Sequence, residues 1–160
     1  MNTEEHHLSI KRVVDAPRPL VYRAFINPDD LAAWWGPTGN QLARDEMDFD
    51  VRPGGHQRWT EVNSATPALR VHVHLDLEHV AEIELIEGVM RVTGQLQEGI
   101  EPFRTRLRVE FYDEAGGRTR IEIRQWLPGT HAAPSEQGWR EALAKLDVAL
   151  AAISAAWTEV

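Results

Sequence analysis

The sequence predicts an α+β fold, in which a curved antiparallel sheet of about six to seven strands wraps around one long C-terminal helix. Three observations lead to this prediction. Two short helical patterns follow the first strand, period-two patterns fill the middle of the chain, and a long helical pattern closes it. A chain of 160 residues is long enough for one hydrophobic core, so we expect a single domain over residues 1–160, with residues 1–6 disordered.

The first strand and the first helix are predicted from the residues at their boundaries. Residues 8–14 alternate loosely and contain β-branched side chains, which favours a strand. Asp15 is a typical capping residue, and Pro17 suits the start of a helix. The apolar residues that follow recur at spacings of three and four, as expected for a helix with one buried face.

A second short helix is predicted directly after the first. Asn27 is a typical N-cap residue, and Pro28 suits the first helical position. The helix is expected to carry Trp34 and Trp35 and to end at Gly36. Because adjacent helical residues point about 100° apart, we expect one tryptophan in the core, with Trp35 favoured, and the other at the rim of a pocket.

Six strand regions are predicted in the middle of the chain, at residues 42–51, 56–62, 69–78, 80–92, 103–112 and 118–125. In the fourth region, Ile83 and Leu85 are expected to face the core. The first two regions form a hairpin that turns at residues 52–55, with Arg52 paired to Asp50 or to an acidic residue of a helix. An anion site made by the glycine N–H groups of this turn is the less favoured alternative.

The spacing His72-x-His74-x-Asp76 places two imidazoles and a carboxylate on one side of a strand, which suits zinc or iron. Val73 and Leu75 alternate with them and form the expected core face. We therefore expect the histidines to face solvent or an oligomer interface, and we predict no metal site.

Arginines alternate with apolar residues in the last two strand regions. The predicted register places Phe111 opposite Thr119, so that Arg108 faces Glu122. It also places Arg106 opposite Arg124, a like-charge pair that destabilises a sheet unless an acidic group lies between the two.

The long C-terminal helix is predicted from Ser135, which can cap it, and from an apolar seam at alternating spacings of four and three, namely Trp139, Leu143, Leu146, Leu150, Ile153 and Trp157. The seam spans fewer than three heptads, so packing on the domain's own sheet is favoured over self-association. A twisted sheet gripping one helix, a helix-grip arrangement, is expected to leave a cavity between the two.

Composition excludes several classes of function. The chain has no cysteine, which excludes disulfides and thiol chemistry, and its formal net charge of −8 disfavours nucleic acid and anionic membranes as partners. It contains no phosphate-binding or nucleotide-binding glycine motif, no serine hydrolase motif and no apolar run that could cross a membrane. We therefore expect a cytoplasmic protein, and we predict neither a cofactor nor any catalytic residue.

An ordered series of short motifs resembles the START-like SRPBCC superfamily, closest to the branch of the C-terminal domain of the activator of the heat-shock protein 90 ATPase. The motifs extend over nearly the whole chain: Asp15-Ala16-Pro17, Val21-Tyr22-Arg23-Ala24-Phe25, Trp34-Trp35-Gly36-Pro37, Asp50-Val51-Arg52-Pro53-Gly54-Gly55 and Gly138-Trp139. The resemblance implies a cavity for small hydrophobic molecules under the C-terminal helix. Some members of the superfamily, such as polyketide cyclases, use that cavity for catalysis.

We expect the protein to bind a small hydrophobic or aromatic ligand between the sheet and the C-terminal helix. A chaperone-associated interaction domain and a cyclase-like enzyme are the alternatives, and self-association stays open. The residues expected to contact the ligand are Trp34, Trp35, Phe49, Trp59, Val71, Val73, Leu75, Leu107, Val109, Ile123, Gln125, Trp139 and Leu143.

Overall fold

The computed structural model describes residues 5–94 and 101–158. In chain order, these residues form β1 (Glu5–Val14), α1 (Arg18–Ile26), α2 (Pro28–Ala32), β2 (Asn40–Leu42), β3 (Asp48–Asp50), β4 (His56–Asn63), β5 (Arg70–Ala81), β6 (Leu85–Gly94), β7 (Phe103–Glu114), β8 (Arg118–Pro128) and α3 (Gly129–Thr158). The strands of this part of the chain form one antiparallel sheet with the order β1-β8-β7-β6-β5-β4-β2, and β3 also pairs with β4.

The sheet curls around α3, which packs against β1 and β8, so the predicted α+β architecture is confirmed. The sheet has one more strand than expected, because the predicted strand at residues 42–51 is two separate strands. β1 begins at Glu5 and thus includes two of the residues expected to be disordered. Residues 1–4 lie outside the described part of the chain. None of the helices in the described ranges is long and apolar enough to cross a membrane.

Helix α1 starts where the sequence predicts, but Asp15 does not cap it. The N-cap is Pro17, whose extended backbone presents its carbonyl oxygen to the N–H groups of Leu20 and Val21 at 3.0 and 3.1 Å. Asp15 lies two residues further upstream, in the exposed bend after β1. The proline therefore starts the helix by fixing its own φ rather than by following a capped residue.

Helix α2 is capped as predicted, because the side chain of Asn27 accepts a hydrogen bond from the N–H of Asp30 at 3.1 Å. It ends earlier than predicted, at Ala32, and the two tryptophans follow in a turn. Gly36 then adopts a positive φ of 89° and redirects the chain toward β2. The backbone N–H groups of Trp34 and Trp35 both donate to the carbonyl of Leu31, at 3.1 and 3.0 Å, so the two tryptophans close the last turn of the helix.

The predicted strand at residues 42–51 is wrong. A short 3-10 helix, Arg44–Glu46, separates β2 from β3, and the two strands pair with opposite ends of β4. The hairpin turn that follows is confirmed, with the Arg52 guanidinium 3.0 Å from an Asp50 carboxylate oxygen. The N–H groups of Gly54 and Gly55 already donate to the carbonyls of Leu77 and Arg52, so the turn offers no free amides to an anion.

A tight turn at residues 81–84 divides the region predicted as one strand at residues 80–92. Ile83 adopts a positive φ of 61° in this turn, and β5 carries a register shift just before it, between Leu77 and His79. The turn resets which residues face inward. Ile86 and Met90 are buried on the concave face, so the expectation that Leu85 points into the core is wrong. Ile83 is partly buried and packs against the core, as expected.

The last hairpin, β7–β8, has the predicted faces but a register displaced by two residues. Phe111 lies opposite Ile121, because Gly116 and Gly117 both adopt positive φ and place the turn one residue further along the chain. A displacement by two keeps every side chain on its predicted face. Arg108 therefore lies opposite Arg124, and Arg106 lies opposite Trp126.

Helix α3 begins at Gly129, six residues before the predicted cap Ser135, and contains Pro134 in its first part. The predicted seam is buried at Trp139, Leu143, Leu146 and Leu150. The side chain of Trp157 lies outside the described residues. An ion pair between Arg12 and Asp147 joins α3 to β1 at the side of this core.

Candidate functional site

A pocket of about 250 Å³ lies between the concave face of the sheet and the first half of α3. It is bordered by seven elements, namely β2, β4, β5, β6, β7, β8 and α3, and by the segment between α2 and β2. Its lining residues are Trp35, Gly36, Pro37, Asn40, Glu61, Val71, Val73, Met90, Val92, Phe103, Gln125, His131, Pro134, Ser135, Gly138, Trp139 and Ala142.

Helix α3 supplies one wall of the pocket through residues that recur at spacings of three and four. His131, Ser135, Gly138 and Ala142 form this stripe, and the adjacent stripe with Leu143 is packed into the core. A Cβ added to Gly138 would have no atom within 4 Å. The helix is therefore thinnest at Gly138, and a side chain added at this position would project into open space.

Aromatic rings also line the pocket, from α3 itself and from the elements that face it. The Trp35 ring lies edge to face with Trp139 at 5.1 Å and with Trp59 at 4.9 Å between ring centroids. The Trp139 indole N–H donates to Gln125 Oε1 at 2.9 Å, and Phe103 packs on His131 with centroids 4.5 Å apart. The two indole N–H groups of the lining, Trp35 and Trp139, both have protein acceptors, so these rings present carbon surface.

Glu61 is the acidic side chain of the pocket. Its carboxylate accepts hydrogen bonds from Trp35 Nε1 at 2.9 Å and from Asn40 Nδ2 at 3.2 Å, and the residue is buried. Burial raises the pKa of Glu61, and these two hydrogen bonds together with the charge of Lys145 partly oppose that rise. Among the described residues, no Lys, Arg or His nitrogen lies within 4.0 Å of this carboxylate.

Lys145 is the cation that acts on Glu61 from behind the pocket wall. Its Nζ donates to the backbone carbonyl of Trp35 at 3.4 Å, and the residue does not line the pocket. Burial lowers the pKa of Lys145, while the charges of Glu61 and Glu141 raise it. The two partly buried charges thus stabilise each other across the Trp35 backbone without forming a direct ion pair.

Five of the residues expected to contact a ligand line the pocket, namely Trp35, Val71, Val73, Gln125 and Trp139. The remaining eight do not line it: Trp34, Phe49, Trp59, Leu75, Leu107, Val109, Ile123 and Leu143. All of these but Phe49, which is partly buried against the core, are fully packed in the core. The core therefore occupies the part of the concave face where these residues lie, and the pocket lies beside it.

The two tryptophans have the reverse of their expected positions. Trp34 is completely buried, and its indole N–H donates to the carbonyl of Ala24 at 2.9 Å. Trp35 is partly exposed and borders the pocket. The early end of α2 explains the exchange, because the orientation expected for each ring assumed that the helix continued to Gly36.

Several lining residues were missed by sequence reasoning. For Glu61 the signal was present, since Trp59 is two residues away on the same strand and was expected to face inward. For Met90 and Val92 it was hidden by the turn at residues 81–84. Asn40 and His131 lie outside the predicted strands and helix, so no pattern gave their orientation. Phe103 shares its face with Leu107 and Val109, so alternation along β7 could have identified it.

The outer face of the sheet carries the His72-x-His74-x-Asp76 motif, as its alternation with buried valine and leucine residues predicts. His72 Nδ1 lies 3.0 Å from Thr60 Oγ1, and His74 Nε2 lies 2.8 Å from Asp76 Oδ1. Across residues 5–94 and 101–158, no three His, Asp or Glu side chains converge in an arrangement suited to a metal ion.

Comparison with known proteins places the chain near one family. The sequence profile of the family described as Activator of Hsp90 ATPase homolog 1-like protein matches residues 15–151. No curated protein sequence matches the chain significantly.

Solved structures with the same fold have low sequence identity to this chain. A protein from Chromobacterium violaceum is 22% identical over 91% of this chain and 97% of its own, with a TM-score of 0.77. The AHSA1 protein from Silicibacter pomeroyi is 21% identical over 91% and 98%, with a TM-score of 0.75. An AHSA1-like protein from Aeromonas hydrophila is 18% identical over 93% and 94%, also with a TM-score of 0.75.

Proposed function

This chain belongs to the family of Activator of Hsp90 ATPase homolog 1-like proteins, and on this premise we propose that it binds a small, mostly apolar molecule in the pocket beneath α3. The observation that carries the proposal is the composition of the lining. Three aromatic rings, those of Trp35, Phe103 and Trp139, stand with aliphatic side chains around an open space that the core does not fill. Apolar walls with a few polar groups are typical of small-molecule sites.

The dimensions of the pocket indicate the size of the ligand. Its volume of about 250 Å³ is below the roughly 300–1,000 Å³ typical of sites for drug-sized ligands. A molecule of one or two fused rings therefore fits better than a lipid. Burial contributes roughly 25 cal/mol per Å² before the lost freedom of the ligand is subtracted, so we expect affinities in the micromolar range.

Filling the pocket from Gly138 tests the proposal. Gly138→Leu places a side chain in open space without a steric clash at its Cβ, and leucine is a better helix former than glycine. With 1-naphthylmethanol as the probe, isothermal titration calorimetry is expected to show micromolar binding to the wild type. Binding to Gly138→Leu is expected to be weaker by about tenfold or more, because the leucine occupies the volume of the probe.

Ala144→Leu is the matched control, because Ala144 lies exposed on another face of the same helix. This variant adds the same side chain to α3 and is expected to bind the probe like the wild type. The proposal fails if the wild type binds no probe below millimolar concentration, or if both variants weaken binding equally.

The family description names an activator of a chaperone ATPase, so a chaperone-associated docking domain is the second candidate. Its docking surface would be the outer face of the sheet, where arginines and glutamates are already paired with each other. Arg106 lies 2.8 Å from Glu78, and Arg120 lies 2.8 Å from Glu122. Docking would have to replace these contacts, which favours the pocket as the functional site. Native mass spectrometry of the gently purified protein distinguishes a retained small molecule from a bound chaperone.

A further inference from the structure

Glu61 is the one Asp, Glu, Lys or Arg side chain among the described residues that line the pocket. Its carboxylate is buried, yet its two identified hydrogen-bond donors, the Trp35 indole and the Asn40 amide, are both neutral. A carboxylate offers about four lone-pair sites, so two donors leave acceptor capacity free. A buried carboxylate with free lone pairs is a strong acceptor for a charged donor.

We propose that the pocket recognises an amine, in which a protonated amino group binds Glu61 while an apolar ring system packs against Trp35, Trp139 and Phe103. This inference rests on the proposed function and names the chemical class of the ligand. Within residues 5–94 and 101–158, the lining contains no lysine or arginine to bind an anion, and an anionic ligand would lie close to the Glu61 carboxylate. A neutral ligand would leave the acidic group without a charged partner.

The aromatic rings favour the same ligand class. Because the indole N–H groups of Trp35 and Trp139 donate to Glu61 and Gln125, these rings have no donor left for a ligand and contribute π surface. The rings therefore suit the apolar ring system of such a ligand, while the Glu61 carboxylate binds its positive group.

Lys145 is the charge that opposes this assignment. It raises the potential at Glu61 from outside the lining, with its Nζ on the carbonyl of Trp35. Its own charge is offset by Glu141 on the same helix, whose carboxylate also accepts the N–H of Thr38. Among the described lining residues, the other titratable group is His131, which lies 3.2 Å from the carbonyl of Glu101. These lining residues include no further Asp, Glu, Lys or Arg side chain.

Because the pKa of Glu61 is raised, the binding of an amine is expected to release protons that can be measured. Burial favours the protonated carboxyl in the free protein. An ammonium group beside it favours the ionised form, so amine binding is expected to release protons from Glu61 under mildly acidic conditions.

Three probes with the same ring system test the proposal by titration calorimetry of the wild-type protein. These are 1-naphthylmethylamine, 1-naphthylmethanol and 1-naphthoate, which are cationic, neutral and anionic. We expect the amine to bind about tenfold or more tightly than the alcohol, and the carboxylate to bind most weakly. In Glu61→Gln, the advantage of the amine over the alcohol is expected to fall below about threefold, with the alcohol little affected. Glu84→Gln, an exposed control, is expected to keep the wild-type ranking.

The outcomes separate this inference from the proposed function. If the amine and the alcohol bind equally, or if the carboxylate binds best, amine recognition is wrong and ligand binding in the pocket stands. If no probe binds, both proposals are wrong. Should Glu61→Gln fail to fold, the wild-type ranking decides, together with proton release measured in two buffers of different ionisation enthalpy. Amine binding without proton release in mildly acidic buffer contradicts the role of Glu61.

Discussion

Trp34 and Trp35 are consecutive in the chain but have different roles. Trp34 is fully buried and connects α1 to the turn after α2 through its bond to the Ala24 carbonyl. Trp35 donates to Glu61 and forms part of the pocket lining. Each indole N–H thus donates to one defined acceptor. The acceptor is the Ala24 carbonyl in the core for Trp34 and the Glu61 carboxylate in the pocket lining for Trp35.

Replacing Trp34 by phenylalanine is expected to destabilise the protein by about 1–3 kcal/mol. The substitution removes the donor to the Ala24 carbonyl and leaves a gap beside Phe25, whose ring centroid lies 4.7 Å from that of Trp34. Chemical denaturation gives the free energy of unfolding. Trp126→Phe is the control, since Trp126 stacks on His7 at the outer face of the sheet. Equal losses in the two variants would contradict a special role for Trp34.

The elevated pKa of Glu61 predicts a pH dependence of stability. Because burial raises the pKa of this carboxyl in the folded protein, the folded state binds more protons than the unfolded state between the two pKa values. The contribution of Glu61 to stability is therefore present below the pKa of the unfolded chain and is lost as the pH rises through the folded pKa.

The free energy of unfolding of the wild type, relative to that of Glu61→Gln, is thus expected to fall as the pH rises from acidic toward neutral. Urea denaturation at several pH values measures this difference, with Glu84→Gln as the baseline variant. A difference that grows with pH would mean that burial does not dominate the environment of Glu61.

At the scale of secondary-structure elements, α3 has two functions along its length. Its first part, which contains Pro134 and Gly138, lines the pocket, and the part from Trp139 to Leu150 packs on the sheet. Small and polar residues in the first part leave the space between the helix and the sheet unfilled. Large apolar residues in the second part hold it in place, so the helix can border open space without losing its packing.

Leu146→Ala is expected to cost about 2–5 kcal/mol, because the side chain is completely buried in the middle of the seam and its removal leaves a cavity. Val148→Ala provides the control on the same helix. Val148 is 72% exposed, and its replacement is expected to change stability by less than about 0.5 kcal/mol. Denaturant midpoints compare the two, and a loss below about 0.5 kcal/mol for Leu146→Ala would contradict the packing of the seam.

Alternation along a strand predicted side-chain orientation correctly wherever the strand was uninterrupted. In β7 and β8 the faces are correct despite the wrong register, since a displacement by two residues preserves them. In β6 they are wrong, because Ile83 turns the chain with a positive φ and no glycine or proline marks the turn. A turn made by a β-branched residue has no local signal in the sequence.

At the scale of the whole molecule, the order of the elements and the resemblance to the SRPBCC superfamily were predicted from the sequence and are confirmed. The extent of the pocket was not predictable in the same way. It depends on how far α2 and α3 fill the concave face, and this follows from the early end of α2 and the early start of α3. Both boundaries depend on tertiary packing rather than on capping residues.

The charges that lie opposite each other on the outer face of the sheet are determined by the register between β7 and β8. Arg108 lies directly opposite Arg124, and Glu110 lies opposite Glu122, which would be unfavourable in isolation. Each pair is compensated by neighbours on the same face, since Arg108 contacts both Glu87 and Glu110. The expected conflict between Arg106 and Arg124 does not occur, because Arg106 pairs with Glu78 of β5.

The contacts among four of the six tryptophans have an optical consequence. Trp35 lies 5.6 Å from Trp34, 4.9 Å from Trp59 and 5.1 Å from Trp139 between ring centroids. Chromophores this close and in fixed orientations share their excited states, so we expect exciton bands in the circular dichroism spectrum and rapid energy transfer within the group. Since Trp35 and Trp139 also line the pocket, a bound molecule would alter the emission of the whole group. The protein therefore contains an intrinsic fluorophore with which occupancy of the pocket can be followed without a label.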